Sequence, residues 1–301
     1  MALSPDSFPV AVCTAADGGF FPLLRDMVEA LVQRGGETKH QLCILDMGLA
    51  SDHIAWLTSK GAQIVEAQWD IDFPERDQQP GHFRAQTARA FLPRYFPGFK
   101  TYIWLDADTW IQDGAVLHWL VKATEHNAMA VTEELHQAYR KAHNQRDILY
   151  KAAVIRTFYG DRDADVYGLL PTLNSGVFAI RADAPHWQAW AEEMSALLHR
   201  KCTRYVDQLS LERIVHAHRL PVAYLPARAN WVVSQARPAF CADRGKLVDP
   251  LPPHDPLWVI HLTLGSKDIA FPIPFLDGRT VTKTLRLSDI GPLVGIFPKD
   301  A

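Results

Sequence analysis

Four short, apolar, β-prone runs punctuate the first 105 residues, and segments of helical periodicity separate them. This alternation constrains the chain more than any other feature. The runs are "PVAVCTA", "HQLCILDM", "AQIVEAQW" and "TYIWL". After the first, Phe20, Leu23, Leu24, Met27, Val28 and Leu31 recur at helical spacing. After the second comes "SDHIAWLTSKG", with Gly61 as its stop. After the third, "HFRAQTARAFLPRYF" reads as a helix interrupted near Pro93. Strands alternating with helices predict an α/β fold, with a doubly wound, mainly parallel sheet flanked by helices. A chain of 301 residues that is 48% hydrophobic can build one large core, and no repeat or linker divides it, so a single domain is expected.

The second half is less regular. "NAMAVT" and "NSGVFAI" read as strands. "DAPHWQAWAEEMSALLHRK" reads as a helix capped by Asp183 with Pro185 in its first turn, and "VDQLSLERIVHAH" as another. Beyond Cys241 frequent prolines predict loops with short strands.

Composition excludes some classes of function. A net charge of −3 gives no electrostatic footprint for nucleic acid. The four cysteines have no CxxC spacing and read as small buried thiols in a reducing compartment. The N-terminus lacks the pattern of a secretory signal, and no window approaches the roughly 20 apolar residues of a membrane span. A cytoplasmic protein without a transmembrane segment is expected. Absence of GxGxxG after the first strand, of GxxxxGK[ST], HExxH and GxSxG removes the common dinucleotide, P-loop, zincin and α/β-hydrolase readings.

The sharpest local signal is "YIWLDADTWIQD". An apolar strand stops at Asp106 and Asp108, and carboxylates there are costly without a compensating charge. In an extended segment residues i and i+2 point the same way, so both carboxylates converge on one point and Ala107 is directed away. A divalent cation at that point answers the cost and can grip a diphosphate. Asp70 and Asp72 are a rival pair after the third strand. Asp161, Asp163 and Asp165 read as solvated loop, and the bland reading of Asp106 and Asp108 is an acidic strand end with capping duties.

Further segments fall into the order of a known family. The chain resembles the metal-dependent retaining glycosyltransferases of family 8, with the GT-A fold, a group that contains bacterial lipopolysaccharide glucosyl- and galactosyltransferases and glycogenin. "YIWLDADTWIQD" is similar to the family's YLDxD strand, "LNSGVFAI" to its NAGV segment, "DQLSLERI" to its DQ helix, "VIHLTLGSKD" to its HxxGxxKPW ending, and "VCTAADGGF" to its AxD nucleotide loop. The resemblance runs from about Val10 to Lys267 and implies a GT-A domain over residues 8–270 with a tail over 271–301.

It also implies roles. Asp106, Asp108 and His261 hold the metal, Mn2+ in preference to Mg2+ because a nitrogen joins the ligands. Ala15 and Asp17 read the uracil of a UDP-sugar. Arg89, Ala107, Ser175, Gly176, Gly265 and Lys267 contact the donor, with Lys267 on the diphosphate. Gly265 follows His261 by four positions where the family's glycine follows by three, and Asp268 stands where a proline is usual. Asn174, Asp207 and Gln208 lie at the reacting face, and Glu133 or Glu134 faces the sugar. Each has a bland counterpart: a helix cap for Asp17, a solvated helix face for Arg89, a surface lysine for Lys267, a structural histidine for His261.

The implied reaction moves a hexosyl unit, glucose or galactose, from a UDP-sugar to a hydroxyl of a glycan, glycolipid or protein. Residues 136–170, rich in Tyr, His and Arg, read either as an acceptor lid or as an ordinary solvated helix and loop. Trp258, Phe271 and Phe275 are further candidates for contact with a lipid-linked acceptor, which leaves room for peripheral membrane contact. A nucleotidyltransferase on a related fold and an inactive sugar-nucleotide-binding protein are the alternatives.

Overall fold

The expected alternation governs the first half of the structure, a computed structural model that describes residues 9–296. In chain order come strand β1 (Val10–Ala16), helix α1 (Phe21–Arg34), β2 (His40–Asp46), α2 (Ser51–Ser59) and β3 (Gln63–Glu66). The predicted helix before the fourth strand is two short pieces, α3 (Arg84–Ala88) and α4 (Leu92–Tyr95), joined by a 3-10 turn carrying Arg89. Pro93 sits in the first turn of α4, where its missing N–H costs nothing. Next are β4 (Thr101–Leu105), β5 (Thr109–Ile111), α5 (Ala115–Ala123) and β6 (Met129–Glu133). Then follow α6 (Gln145–Tyr159), α7 (Asp161–Tyr167), β7 (Leu173–Arg181), α8 (His186–Arg200), α9 (Val206–His216) and β8 (Val222–Leu225). The remainder holds β9 (Trp231–Val232), β10 (Ala239–Cys241), β11 (Lys246–Val248), β12 (Val259–His261), β13 (Phe271–Pro274), β14 (Thr280–Lys283) and α10 (Leu287–Val294).

Seven strands form one sheet in the order β3-β2-β1-β4-β7-β6-β8. It is mainly parallel, as expected; only β7 runs against its neighbours β4 and β6. Apolar clusters cover both faces, one around Trp104, Phe178 and Trp190, the other around Leu24, Met27, Ile103 and Val177. A small second sheet, β5-β12-β9, carries a third cluster with Trp110 and Trp231.

Two irregularities prepare the site. The register of β6 against β7 jumps from Val131↔Phe178 to Thr132↔Asn174, so residues 175–177 bulge without a partner on β6. And β4 passes through residues 106–108 directly into β5, so one short connection joins the two sheets.

Several sequence expectations are corrected. Asp183 does not cap α8: Pro185 takes the cap position, and Asp183 is held in a fork by Arg181 at 2.9 and 3.0 Å, a charge-assisted pair stronger than a bond to a neutral amide. Asp161, Asp163 and Asp165 lie on α7 rather than in a loop, and Asp163 is buried against Arg213 at 2.7 Å. Residues 287–294 form a helix despite Gly291 and Pro292, because Leu287, Ile290 and Val294 at helical spacing are buried in the third cluster. Phe271 and Phe275 are buried in that same cluster, and Trp258 is buried against the sheet, so none of them offers a surface to lipid. The expected domain start at residue 8 and the last five residues of the tail lie outside the described residues. Among the described residues no helix is long and apolar enough to cross a membrane. All four cysteines are free.

Helices α6 and α7 are bound to α9 by buried charge. Arg213 of α9 pairs with Asp163 and with Glu193 of α8, and Lys151 of α6 pairs with Glu212 of α9 at 3.1 Å. His216 of α9 stacks on Tyr167 of α7, and its Nε2 is buried with no partner. Burial, aided by the Lys151 charge, depresses the His216 pKa to about 4. The unfolded chain therefore binds a proton at His216 that the folded chain refuses between the ordinary histidine value and about 4. Stability contributed by neutral His216 is complete above the ordinary value and is lost as pH falls towards 4. Urea unfolding at stepped pH should show this decline, and His216→Phe, which keeps the stacked ring, should flatten it.

Candidate functional site

Strand β4 ends at Leu105 because the next residues turn. The Asp106 carbonyl accepts the backbone N–H of Thr109 at 2.9 Å and its hydroxyl at 2.7 Å, closing a tight turn over residues 106–109. Asp106 and Asp108 thus converge through a turn and not through strand alternation. Ala107 is buried within it. The turn lies at the C-terminal edge of the parallel strands, where α/β sheets bind ligands.

His261 arrives from far along the chain by strand pairing. In the β5–β12 ladder it lies opposite Thr109, and the next residue, Leu262, donates its N–H to the Asp108 carbonyl at 2.9 Å. Its Nε2 is 3.3 Å from Asp108 Oδ1 and 3.7 Å from Asp106 Oδ2. One ligand atom from each of the three residues lies within 4.8 Å of the others, and among the described residues they are the one such cluster. Gly176, in the β7 bulge, forms the wall behind them: its carbonyl accepts the Asp106 N–H at 2.8 Å. A Cβ there would lie 2.2 Å from His261 Cε1 and 2.7 Å from Asp106 Oδ2.

The carboxylates are heavily compensated. Asp106 Oδ1 accepts from Arg89 Nη2 at 2.7 Å and from Trp104 Nε1 at 2.8 Å. Burial still pushes its pKa up, outweighing Arg89. Asp108 faces His261 and the Lys267 ammonium. Burial acts upward there too, but the imidazole and Lys267 outweigh it and hold the carboxyl below the usual range. Lys267 also donates to the Leu262 carbonyl at 2.9 Å.

Arg89 is buried, not on a solvated helix face. Its Nη1 donates to Asp207 Oδ2 at 2.6 Å and to the Ser175 carbonyl and hydroxyl, both at 3.1 Å, while its guanidinium lies over Trp104. Ser175 donates to the same Asp207 oxygen at 2.7 Å. Removing one partner of such a buried pair costs about 3–5 kcal/mol, so Arg89 supports the fold as well as the site. Gln208 follows Asp207 in the first turn of α9, half-buried. Asn174 donates to Glu134 at 2.8 Å, and Glu134 is paired with Lys141; of the two adjacent glutamates, Glu134 is the one that reaches the site.

At the other end Ala15 closes β1, and Asp17 accepts the Phe20 N–H at 2.9 Å. Phe20, not Asp17, occupies the cap position of α1, so Asp17 closes a turn just upstream. The Phe20 ring lies 5.8 Å from Lys267 Nζ, which brings the first loop to the Lys267 loop. In that loop Leu264 stands three positions after His261 with φ of 54°, a conformation ordinarily left to glycine, and Gly265 follows within a 3-10 turn. The rival pair disperses: Asp70 is buried against Arg94 and the Tyr95 hydroxyl, and Asp72 is exposed beside Arg76.

Sequence reading missed Trp104, Phe20 and Asn230. Trp104 had a signal, since it shares a strand face with the residue two positions on. Asn230 had none; it bonds His261 Nδ1 at 2.9 Å only because the 3-10 turn 227–229 and β9 bring it there.

These residues suit a divalent cation. Three carboxylates, Asp106, Asp108 and Asp207, face two permanent cations, Arg89 and Lys267, so the carboxylates outnumber the permanent cations paired with them by one. The imidazole presents Nε2 to the carboxylates, and the missing side chain of Gly176 leaves room for the cradle.

The fold is that of GT-A glycosyltransferases. The galactosyltransferase LgtC, solved with donor and acceptor sugar analogs, superposes with a TM-score of 0.53 at 16% identity, over 85% of this chain and 88% of its own. The WbbM bifunctional glycosyltransferase gives 0.56 at 13% identity, over 87% of this chain and 47% of its own, so this chain spans about half of WbbM. GlyE of Streptococcus pneumoniae TIGR4 gives 0.50 at 16% identity, over 96% of this chain and 62% of its own. No family model and no curated protein matches the sequence.

The close approach at residue 176 makes a direct prediction. Gly176→Ala should lower the unfolding free energy by about 1–3 kcal/mol, the usual cost of forcing atoms into a packed site, read as a fall in the urea midpoint at constant slope.

Proposed function

We propose that this chain, which has the GT-A glycosyltransferase fold, is a metal-dependent glycosyltransferase. It moves a hexosyl unit, glucose or galactose, from a UDP-sugar to a hydroxyl acceptor with retention of configuration. The observation that carries this reading is the convergence of Asp106, Asp108 and His261 at the C-terminal edge of the parallel strands, backed by Gly176. A divalent ion held by these three residues, Mn2+ in preference to Mg2+, supplies Lewis-acid stabilisation of the charge that grows on the departing diphosphate.

The protein's own groups do the rest. Lys267, within reach of both Asp108 and the Phe20 loop, holds the diphosphate. Ala15 and Asp17 bind the base, a carboxylate accepting the imide N–H of uracil. Asn174, Ser175 and Gly176 line the sugar, and Glu134 faces it through Asn174. Retention requires either a carboxylate nucleophile on the far face or attack from the leaving-group side. Asp207 is a poor candidate for the first route, because Arg89 and Ser175 already hold its Oδ2. Gln208 offers an amide, a weak nucleophile. Front-face attack, with a phosphate oxygen of the donor taking the acceptor proton, fits these residues best.

The acceptor, a glycan or glycolipid with a protein as the third choice, meets the segment from His136 to Leu170. Glu134 donates its N–H to the Thr172 carbonyl, and Lys151 Nζ donates to the carbonyls of Leu170 and Pro171, which draws this segment to the sugar end of the site. Ile148, Tyr150 and Leu170 of that segment are exposed, and exposed aromatic and apolar side chains of this kind can stack on a sugar or its aglycone.

The test is release of UDP from a panel of UDP-sugars with Mn2+. The native protein should hydrolyse one of them slowly and transfer faster when an acceptor is added. Asp108→Asn should abolish both while the protein stays folded. Undiminished turnover in that variant, or full turnover in excess EDTA, contradicts the reading. Pyrophosphate release from UTP and a sugar phosphate would instead identify a nucleotidyltransferase, and tight binding without turnover an inactive binding protein.

A further inference from the structure

We propose that Asn230 is a positioning residue that selects the ligating nitrogen of His261 and couples it to the sugar-lining Asn174. The inference rests on the metal site proposed above.

Asn230 is buried between the turn 227–229 and β9, and each end of its side-chain amide has one partner. Its Oδ1 lies 2.9 Å from His261 Nδ1, and its Nδ2 lies 2.9 Å from Asn174 Oδ1. Side-chain amides can ordinarily be turned end for end, and an imidazole has two tautomers. Here neither freedom exists. The backbone N–H of Gly176, which can only donate, points at Asn174 Oδ1 at 3.0 Å. The Glu134 carboxylate, paired with Lys141 and able only to accept, faces Asn174 Nδ2 at 2.8 Å. Both contacts set Asn174 with its oxygen towards Asn230. Asn230 must then present Nδ2 to Asn174 and Oδ1 to His261. His261 must donate from Nδ1, so in the neutral, ligating ring the lone pair sits on Nε2, directed at the cradle formed with Asp106 and Asp108.

The orientation of the metal ligand is thus dictated from Glu134 and from a backbone amide in the β7 bulge, through two amide side chains. A partner on the far nitrogen of a ligating histidine fixes its ring and raises its basicity, and loss of such a partner costs about 10–100-fold in metal affinity. A residue that merely filled a polar gap between β9 and β12 would affect stability and leave affinity for the ion unchanged.

The experiment is calorimetric titration of the purified full chain with Mn2+ alone, with thermal unfolding followed in parallel. Asn230→Ala removes the acceptor for Nδ1 and should weaken Mn2+ binding about 10–100-fold while unfolding stays cooperative. Asn230→Asp keeps that acceptor but loses the donor to Asn174, so Mn2+ should bind at least as tightly as to the native chain, while UDP-sugar affinity in Mn2+ falls. A cooperatively folding Asn230→Ala that binds Mn2+ within about twofold of native overturns the inference. Should Asn230→Ala fail to fold, a folded Asn230→Asp that binds Mn2+ about tenfold more weakly overturns it equally. A native chain that binds no Mn2+ overturns the metal reading itself, an outcome distinct from these.

Discussion

The organisation of this molecule depends on one buried acidic turn. Asp106 and Asp108 sit where β4 of the large sheet becomes β5 of the small one, and both carboxylates are mostly withdrawn from water. Charges in that position are tolerated only with close compensation. The compensation comes from three remote segments: Arg89 from the broken helix before β4, His261 from the end of β12, and Lys267 from the loop beyond it. Meeting that electrostatic demand draws the two sheets and the helical connection together at a single point. The groups that stabilise the turn are therefore the groups available to a ligand.

Around this point the strands change direction. β1, β2 and β3 run parallel to β4, and the loop after β1 reaches the same edge as the acidic turn. On the other side β7 runs antiparallel and bulges at residues 175–177. The bulge brings the Gly176 backbone against Asp106 and turns Asn174 and Ser175 into the site. Ala15 and Asp17 thus come from the parallel half, and Asn174, Ser175 and Asp207 from the bulged strand and α9.

Helix α9 connects the site to the rest of the molecule. Its first turn supplies Asp207 and Gln208, and farther along it Glu212 and Arg213 anchor α6, α7 and α8 through buried ion pairs. Helices α6 and α7, within residues 136–170, are held to the same helix that carries Asp207 and Gln208, so the placement of the two is set together.

Local periodicity was enough to reveal the β–α alternation, the mainly parallel sheet and helices such as α1, α8 and α9, because apolar spacing reports directly which side of an element is buried. The motifs around Asp106, Asn174, Asp207 and His261 were equally visible in order along the chain. Their convergence was not. Asp106 and Asp108 meet through a turn that the alternating pattern of a strand does not anticipate. His261 meets them through a ladder between strands of three residues each, too short to leave a periodic signal. Asn230 carries no motif, since its role arises from two hydrogen bonds to residues distant in sequence. The aromatic tail looked exposed in sequence and is interior in space, because burial depends on what packs over a residue and not on its neighbours in the chain. Sequence specifies which segments can bury a face; only the packed structure decides which distant side chains share the space behind it.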